Sequence, residues 1–141
     1  MQQRIYYHHT DCGGVVYYAN YLKFLEEART EWLEQRGISV KSLMDKGLLF
    51  VVYRQEIDYK FPAVYGDTIT VETKVTGLSD FRIEFYYETK NQDGRLLTKA
   101  KTVLVCVGKS LEATPLPDEI KQVLQKDVQP APPEIKRRFM A

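Results

Sequence analysis

The residues of this chain that could do chemistry are concentrated in one stretch, residues 6–21, which reads "YYHHTDCGGVVYYANY". Asp11 is its only acid, and the glycines behind it, Gly13 and Gly14, leave room for a ligand to approach the backbone. A helical pattern follows at once, and the start of a helix offers free N–H groups and a positive dipole end. A carboxylate that faces such donors is a minimal set for acyl transfer.

Asp11 also fits a purely structural role. In an Asx turn its carboxylate accepts hydrogen bonds from nearby backbone amides, and the segment "TDCGG" suits such a turn well. The functional interpretation is favoured by apolar surroundings that keep water scarce around the carboxylate, namely Val15, Val16, Tyr17 and Tyr18. From the residues alone, the two interpretations are evenly balanced.

Other side chains of the stretch are weaker candidates. Cys12 could act as a nucleophile only with His8 or His9 as its base, and nothing in the sequence orients either ring. On a strand these adjacent histidines would point to opposite faces, so they would not hold a metal together. Because Cys12 and Cys106 form no CxxC pair, we predict reduced thiols and no metal site.

The hydrophobic pattern around the stretch predicts the elements that must position it. A short strand is expected over Arg4–Tyr7, and a helix over residues 20–36, with Asn20 as its N-cap and Gly37 just past its end. A shorter helix is expected from Ser39 to Gly47. The apolar stripe of the long helix consists of Tyr21, Phe24, Leu25, Ala28 and Trp32. Arg29 projects into that stripe, and its stem covers the core edge or its head pairs with a carboxylate at a subunit contact.

After Gly47 the apolar residues alternate with a period of two, which is typical of strands with one buried face. The turns Gly77–Asp80 and Asn91–Gly94 suit hairpins between antiparallel neighbours. A last strand over about Arg95–Val107 is apolar on both faces at its end and is expected to be central. A short helix follows at about Asp118–Lys126. One long helix against an antiparallel meander predicts an α+β domain over residues 1–127, with a C-terminal tail over 128–141.

The whole sequence limits the function classes. It has 141 residues and a net charge of +1, so we expect one domain and no global field that attracts nucleic acid or an anionic membrane. No apolar run approaches the about 20 residues that span a bilayer, and the first residues lack the layout of a signal peptide. We therefore expect a cytoplasmic protein with no nucleic-acid partner and no membrane span.

The motif residues resemble a known family. The segment "TDCGGVVYYANYLKFLEEAR" (residues 10–29) is similar to the signature of the hotdog-fold acyl-CoA thioesterases, in the 4-hydroxybenzoyl-CoA thioesterase family. The similarity continues through "YKFPAVYGDTITVET" (Tyr59–Thr73) and "TVLVCV" (Thr102–Val107), and covers the chain to about residue 127. The residues that carry the signature are Asp11, Gly14, Val15, Val16, Tyr17, Tyr18, Asn20 and Tyr21.

This resemblance implies a hotdog fold, in which a curved antiparallel sheet wraps a long central helix. It also implies a homodimer with continuous sheets, often paired into a tetramer, and an active site at the dimer interface. Asp11 would be the catalytic carboxylate, as nucleophile or as general base, and the backbone N–H of Tyr18 would polarise the thioester carbonyl. The substrate would be an acyl-CoA, and the resemblance implies no metal and no cofactor.

Substrate contacts are expected from the motif, from a strand aromatic and from the cation nearest the Gly77–Asp80 turn. The family members that act on aromatic substrates carry a basic cluster at that turn, which this chain replaces with "GLSDFR". Phosphate contacts are therefore assigned to Arg82, with Lys60 and Lys109 as alternatives. The expected substrate-binding residues are Gly14, Val16, Tyr17, Asn20, Tyr59 and Arg82.

Tyr18 bears on the acyl group. The Tol–Pal-associated short-chain branch of the family usually has a histidine there, whereas the 4-hydroxybenzoyl-CoA branch has a tyrosine. Since "GGVVY" and "EEARTEWL" are closer to the short-chain branch, we expect hydrolysis of a short-chain or aromatic acyl-CoA to free acid and CoA. The alternative is a non-catalytic CoA or acyl-carrier binding protein on the same fold, which would not need Asp11.

Overall fold

The fold is described from a computed structural model, which describes residues 1–132. Its elements in chain order are β1 (Gln2–Arg4), a single 3-10 turn (Tyr7–His9), α1 (Asn20–Glu34), α2 (Val40–Asp45), β2 (Leu49–Tyr59), β3 (Thr68–Leu78), β4 (Arg82–Lys90), β5 (Leu96–Val107) and α3 (Asp118–Gln125).

The first strand was predicted in the wrong place. β1 ends at Arg4, where its pairing with β3 stops at Thr68. The Ile5 N–H then donates to the Asp67 carbonyl at 2.7 Å, and the chain turns away from the sheet. Tyr7–His9 therefore forms a 3-10 turn in place of strand.

The strands form one antiparallel sheet in the order β1-β3-β4-β5-β2. Both predicted hairpins are confirmed, since β3 pairs with β4 and β4 pairs with β5 through short turns. β5 lies between β4 and β2, as its apolar end predicts. β2 begins at Leu49, earlier than the alternating segment, and forms one edge of the sheet.

The long helix forms where its periodicity predicts, and its apolar stripe is buried. Tyr21, Phe24, Leu25, Ala28 and Trp32 are all inaccessible to solvent or nearly so. The predicted N-cap is wrong, because Ala19 holds that position and Asn20 is the first helical residue. The Asn20 amide reaches back to the His9 carbonyl instead, at 2.8 Å.

The core lies between α1 and the inner face of the sheet. The Trp32 and Phe85 rings meet edge to face with centroids 5.8 Å apart, an arrangement that aromatic pairs favour. Apolar strand residues complete the core, among them Val71, Val75, Ile83 and Tyr87. Arg29 is half-buried at the edge of this core. Burial raises the pKa of the Tyr87 phenol, and the positive charge of Arg29 partly opposes that rise.

The end of the described chain is fastened to the domain. Arg36, just after α1, forms a 2.7 Å ion pair with Asp127 and stacks on the Trp32 ring at 3.4 Å. The Gln129 N–H donates to the Val75 carbonyl at 2.9 Å, so the predicted tail begins by pairing with β3. The rest of that tail, residues 133–141, lies outside the described residues, and its boundary at residue 127 stays a prediction.

The α+β class is confirmed, and so is the hotdog arrangement of a long helix packed against a curled antiparallel sheet. In the described part of the chain, no helix is both long enough and apolar enough to cross a membrane.

Candidate active site

The glycine stretch forms a small hairpin that presents Asp11 at its start. Thr10 and Val16 form an antiparallel bridge, and the Asp11 N–H donates to the Val15 carbonyl at 2.9 Å. Gly14 has a φ of +80°, which a residue with a Cβ adopts only with strain. The Val16 N–H then donates to the Ala63 carbonyl at 2.8 Å, which ties the hairpin to the segment after β2.

The Asp11 carboxylate makes one local hydrogen bond and is otherwise open. Its Oδ1 accepts the Gly13 N–H at 2.8 Å, which is the bond of an Asx turn. The residue is exposed, and no cation within residues 1–132 forms an ion pair with it. The structural role is therefore present, and it leaves the other carboxylate oxygen accessible to a ligand.

The entrance to α1 carries backbone donors that are free in the described structure. The Tyr17 N–H donates to the His9 carbonyl and the Asn20 N–H to the Tyr17 carbonyl, both at 2.9 Å. Between them, the N–H groups of Tyr18 and Ala19 meet no acceptor within the described residues. Such unpaired donors at a helix start are suited to holding an anionic oxygen.

Tyr59 packs beneath this entrance. Its hydroxyl donates to the Tyr18 carbonyl at 3.1 Å, and its ring meets the Tyr21 ring edge to face at 5.5 Å. The Tyr21 hydroxyl in turn accepts the Ala63 N–H at 3.2 Å. Burial raises the pKa of Tyr59, and also that of Tyr21, so both phenols are neutral at pH 7.

Aromatic and basic side chains surround the same end of the molecule. Tyr17 and Tyr18 have ring centroids 4.8 Å apart, and both are exposed. The Arg95 guanidinium lies over the Phe61 ring at 3.6 Å, close to the end of β2 and to Lys60. Sequence reasoning missed Arg95, because only the pairing of β5 with β2 brings it to this end.

Arg82 is not brought to this site within one chain. In the sheet it pairs with Val105, whereas Tyr59 pairs with Thr98 on the same strand β5. Val105 and Thr98 are separated along β5 by on the order of 20 Å, because a strand rises about 3.3 Å per residue. Arg82 instead stacks on the Tyr53 ring at 4.4 Å. The other expected contacts, Gly14, Val16, Tyr17, Asn20 and Tyr59, all belong to the hairpin, the helix entrance or the end of β2.

The histidines and cysteines occupy positions that differ in part from expectation. His8 and His9 do not alternate on a strand, because they lie in the 3-10 turn with ring centroids 4.0 Å apart. Both cysteines are free thiols, as predicted, with Cys12 exposed and Cys106 buried. Burial raises the pKa of the Cys106 thiol. Residues 1–132 hold no cluster of three potential metal ligands.

The fold is that of a hotdog protein, with an accessible carboxylate in the hairpin and unpaired backbone donors at the entrance to α1. The chain belongs to the thioesterase-like superfamily, whose sequence profile matches residues 7–124. It is accordingly an enzyme of the thioester hydrolase class, close to the Tol–Pal-associated branch.

Three relatives show the extent of the similarity. The acyl-CoA thioester hydrolase YbgC of Escherichia coli O157:H7 is 38% identical over 104 residues, 74% of this chain and 78% of that protein. The 1,4-dihydroxy-2-naphthoyl-CoA hydrolase of Synechococcus elongatus is 30% identical over 127 residues, 88% and 93% of the two chains. The crystal structure of Slr0204, a 1,4-dihydroxy-2-naphthoyl-CoA thioesterase from Synechocystis, has a TM-score of 0.83 at 27% identity, covering 89% of this chain and 93% of its own.

Proposed function

We propose that this enzyme hydrolyses a short-chain or aromatic acyl-CoA to the free acid and CoA, with Asp11 as its catalytic carboxylate. One observation carries the proposal. The accessible Asp11 carboxylate lies in the hydrogen-bonded hairpin of residues 10–16, and the free Tyr18 N–H lies between that hairpin and the start of α1. An attacking group and an oxyanion donor are therefore held by the same local structure.

The chemistry needs only these groups and water. As general base, Asp11 takes a proton from water while the water oxygen forms a bond to the thioester carbon. As nucleophile, it forms an acyl anhydride that water then hydrolyses. In both routes the C–S bond breaks, CoA leaves as the thiolate, and that thiolate takes up a proton. The Tyr18 N–H stabilises the oxyanion, an interaction worth about 3–4 kcal/mol for a well-placed donor.

The acyl group is inferred from the relatives and the lining of the site. One relative is named for an unspecified acyl-CoA and another for an aromatic naphthoyl-CoA. Exposed aromatic rings at the entrance, Tyr17 and Tyr18, suit stacking on an aromatic acyl group. The nearby cations Lys60 and Arg95 supply the positive charge that the CoA phosphates need at this end of the molecule.

The site is completed in a dimer. Within residues 1–132, β2 forms a free sheet edge and carries three exposed apolar residues in a row, Val51, Val52 and Tyr53. An open apolar edge is a template for pairing with another strand, and the family pairs sheets across such an edge. Arg82 stacks beside Tyr53, so in the dimer it serves the partner's site or the interface.

The decisive experiment replaces Asp11 with asparagine. The asparagine oxygen still accepts the Gly13 N–H, so the Asx turn is preserved while the charge is removed. We expect kcat/KM for acyl-CoA thioesters, measured by thiol release from acetyl- to palmitoyl-CoA and from aryl-CoAs, to fall by at least about 100-fold.

Cys12→Ser is the matched control, because Cys12 is the exposed neighbour of Asp11 and the rival nucleophile. It should retain the wild-type rate. Equal activity of Asp11→Asn and wild type would refute the catalytic role of Asp11. Tight CoA binding without turnover of any thioester would support a binding protein instead.

A further inference from the structure

The His9 side chain closes the turn that precedes the hairpin. The Tyr6 N–H donates to His9 Nδ1 at 2.9 Å, across the single 3-10 turn. This is the position where a capping box places glutamate or glutamine, whose side chain accepts the same backbone N–H. Because Nδ1 accepts a hydrogen bond, the ring is neutral and carries its proton on Nε2.

The His9 backbone carbonyl is the anchor of the helix entrance. It accepts two hydrogen bonds, from the Tyr17 N–H at 2.9 Å and from the Asn20 side-chain amide at 2.8 Å. These donors lie on either side of Tyr18, whose free N–H is the proposed oxyanion donor. The turn that the His9 ring stabilises therefore fixes the residues on both sides of Tyr18, namely Tyr17 and Asn20.

We infer that His9 is a positioning residue whose neutral ring keeps the Tyr18 N–H aligned, and whose protonation releases the turn and slows the reaction. The inference rests on the proposed function, which supplies the role of Tyr18. We assign His9 a positioning role because its Nδ1 accepts the Tyr6 N–H and its ring packs on Phe24, with centroids 5.2 Å apart.

The surroundings of the ring keep it neutral. Burial lowers the pKa of His9 first, and the charges of His8 and Lys23 lower it further. His8 faces it from the same turn at 4.0 Å between centroids, Lys23 from α1, and Arg4 at the end of β1 stacks on the Tyr6 ring at 5.8 Å. No carboxylate within residues 1–132 forms an ion pair with the ring.

The direction of the pH effect follows from these groups. The pKa of His9 in the folded protein is lower than that of a free histidine, which titrates at about pH 6.5. The stabilising bond to Tyr6 is therefore fully present above that pH. It is lost as the pH falls through the lower pKa of His9 in the folded state.

Profiles of kcat/KM between about pH 5 and 8 test the inference. The wild type should lose activity on the acid side, falling toward about a tenth of its maximum, the effect of one lost hydrogen bond. His9→Gln retains an acceptor that does not titrate, so it should keep high activity and lose this acid limb. His9→Leu removes the acceptor and should show the low plateau at every pH.

His8→Gln is the matched control. His8 is exposed, and its side chain makes no hydrogen bond in the described chain. Its removal takes away one charge that lowers the pKa of His9, so the acid limb should persist and move to higher pH. An unchanged acid limb in His9→Gln, or wild-type activity in His9→Leu, would overturn the inference.

An NMR titration separates this inference from the proposed function. The Tyr6 and Tyr17 amide resonances should titrate with the midpoint of the His9 ring, and should stop doing so in His9→Gln. If they titrate in this way while no thioester is hydrolysed, the proposed function fails and the structural link through His9 stands. If they stay constant through the His9 titration, the link itself is refuted.

Discussion

Tyr59 shows how one hydroxyl can act on the site through the backbone. It was expected among substrate-binding residues, and its hydroxyl donates to the Tyr18 carbonyl, 41 residues away in sequence. That bond orients the Tyr18–Ala19 peptide, next to the proposed oxyanion donor. Burial raises the pKa of Tyr59, so the hydroxyl remains a donor throughout the neutral range.

We therefore expect Tyr59→Phe to lower kcat/KM about five- to tenfold, the effect of one lost hydrogen bond. The ring contact with Tyr21 is retained in this variant, so thermal unfolding should change little. Tyr65→Phe is the control, since Tyr65 is exposed and its hydroxyl has no hydrogen-bond partner within residues 1–132. Full activity of Tyr59→Phe in steady-state assays would show that the bond does not orient the peptide.

At the scale of elements, the hairpin of residues 10–16 combines two glycines with different duties. Gly14 needs its positive φ of +80°, and a Cβ there would meet no atom within 4 Å. Gly13 has no such backbone requirement, but a Cβ there would lie 3.2 Å from Asp11 Oδ1. Gly13 therefore leaves space for the Asp11 carboxylate, and Gly14 permits the backbone conformation of the turn.

These duties predict opposite effects of two alanine substitutions. Gly14→Ala should destabilise the protein by about 1–2 kcal/mol through backbone strain, measured by denaturant unfolding. Gly13→Ala should leave stability almost unchanged and lower kcat, because the new methyl group displaces the Asp11 carboxylate. If the two variants had the same profile of stability and activity, this division of roles would be wrong.

At the scale of the whole molecule, the two edges of the sheet differ. β1 and the segment around Val128 pair with β3 and partly cover that side. On the other side, no described strand pairs with the outer edge of β2, where Val52 is 52% and Tyr53 63% exposed. The uncovered apolar edge is the one on which the proposed dimer depends.

Val52→Lys should therefore shift the protein from dimer or tetramer to monomer in sedimentation velocity, because a charged side chain on a free edge opposes strand pairing. Activity should fall with the dimer, since the proposed site uses both chains. Val128→Lys is the control at the opposite edge, where Val128 is 40% exposed. A wild-type protein that sediments as a monomer at micromolar concentration would contradict the interface.

Much of the fold and part of the site follow from local patterns. The α1 stripe, the two hairpins and the Asx turn at Asp11 depend on spacings of two to four residues, which sequence records directly. The errors are also local in origin. Asn20 has the residue type of an N-cap, but the packing of the 3-10 turn gives its amide a better acceptor in the His9 carbonyl.

The sequence by itself therefore determined the α+β class, the long helix and the carboxylate beside glycines. Only the tertiary structure decided which other side chains lie at the same end of the molecule as that carboxylate. It brought Tyr59 to Tyr18 and Arg95 to the same end of the sheet. It also placed Arg82 at the opposite end of the sheet and made His9 the link between the 3-10 turn and α1. The physical reason is that these contacts depend on strand register and helix docking, which join segments too distant in sequence for any local pattern to encode.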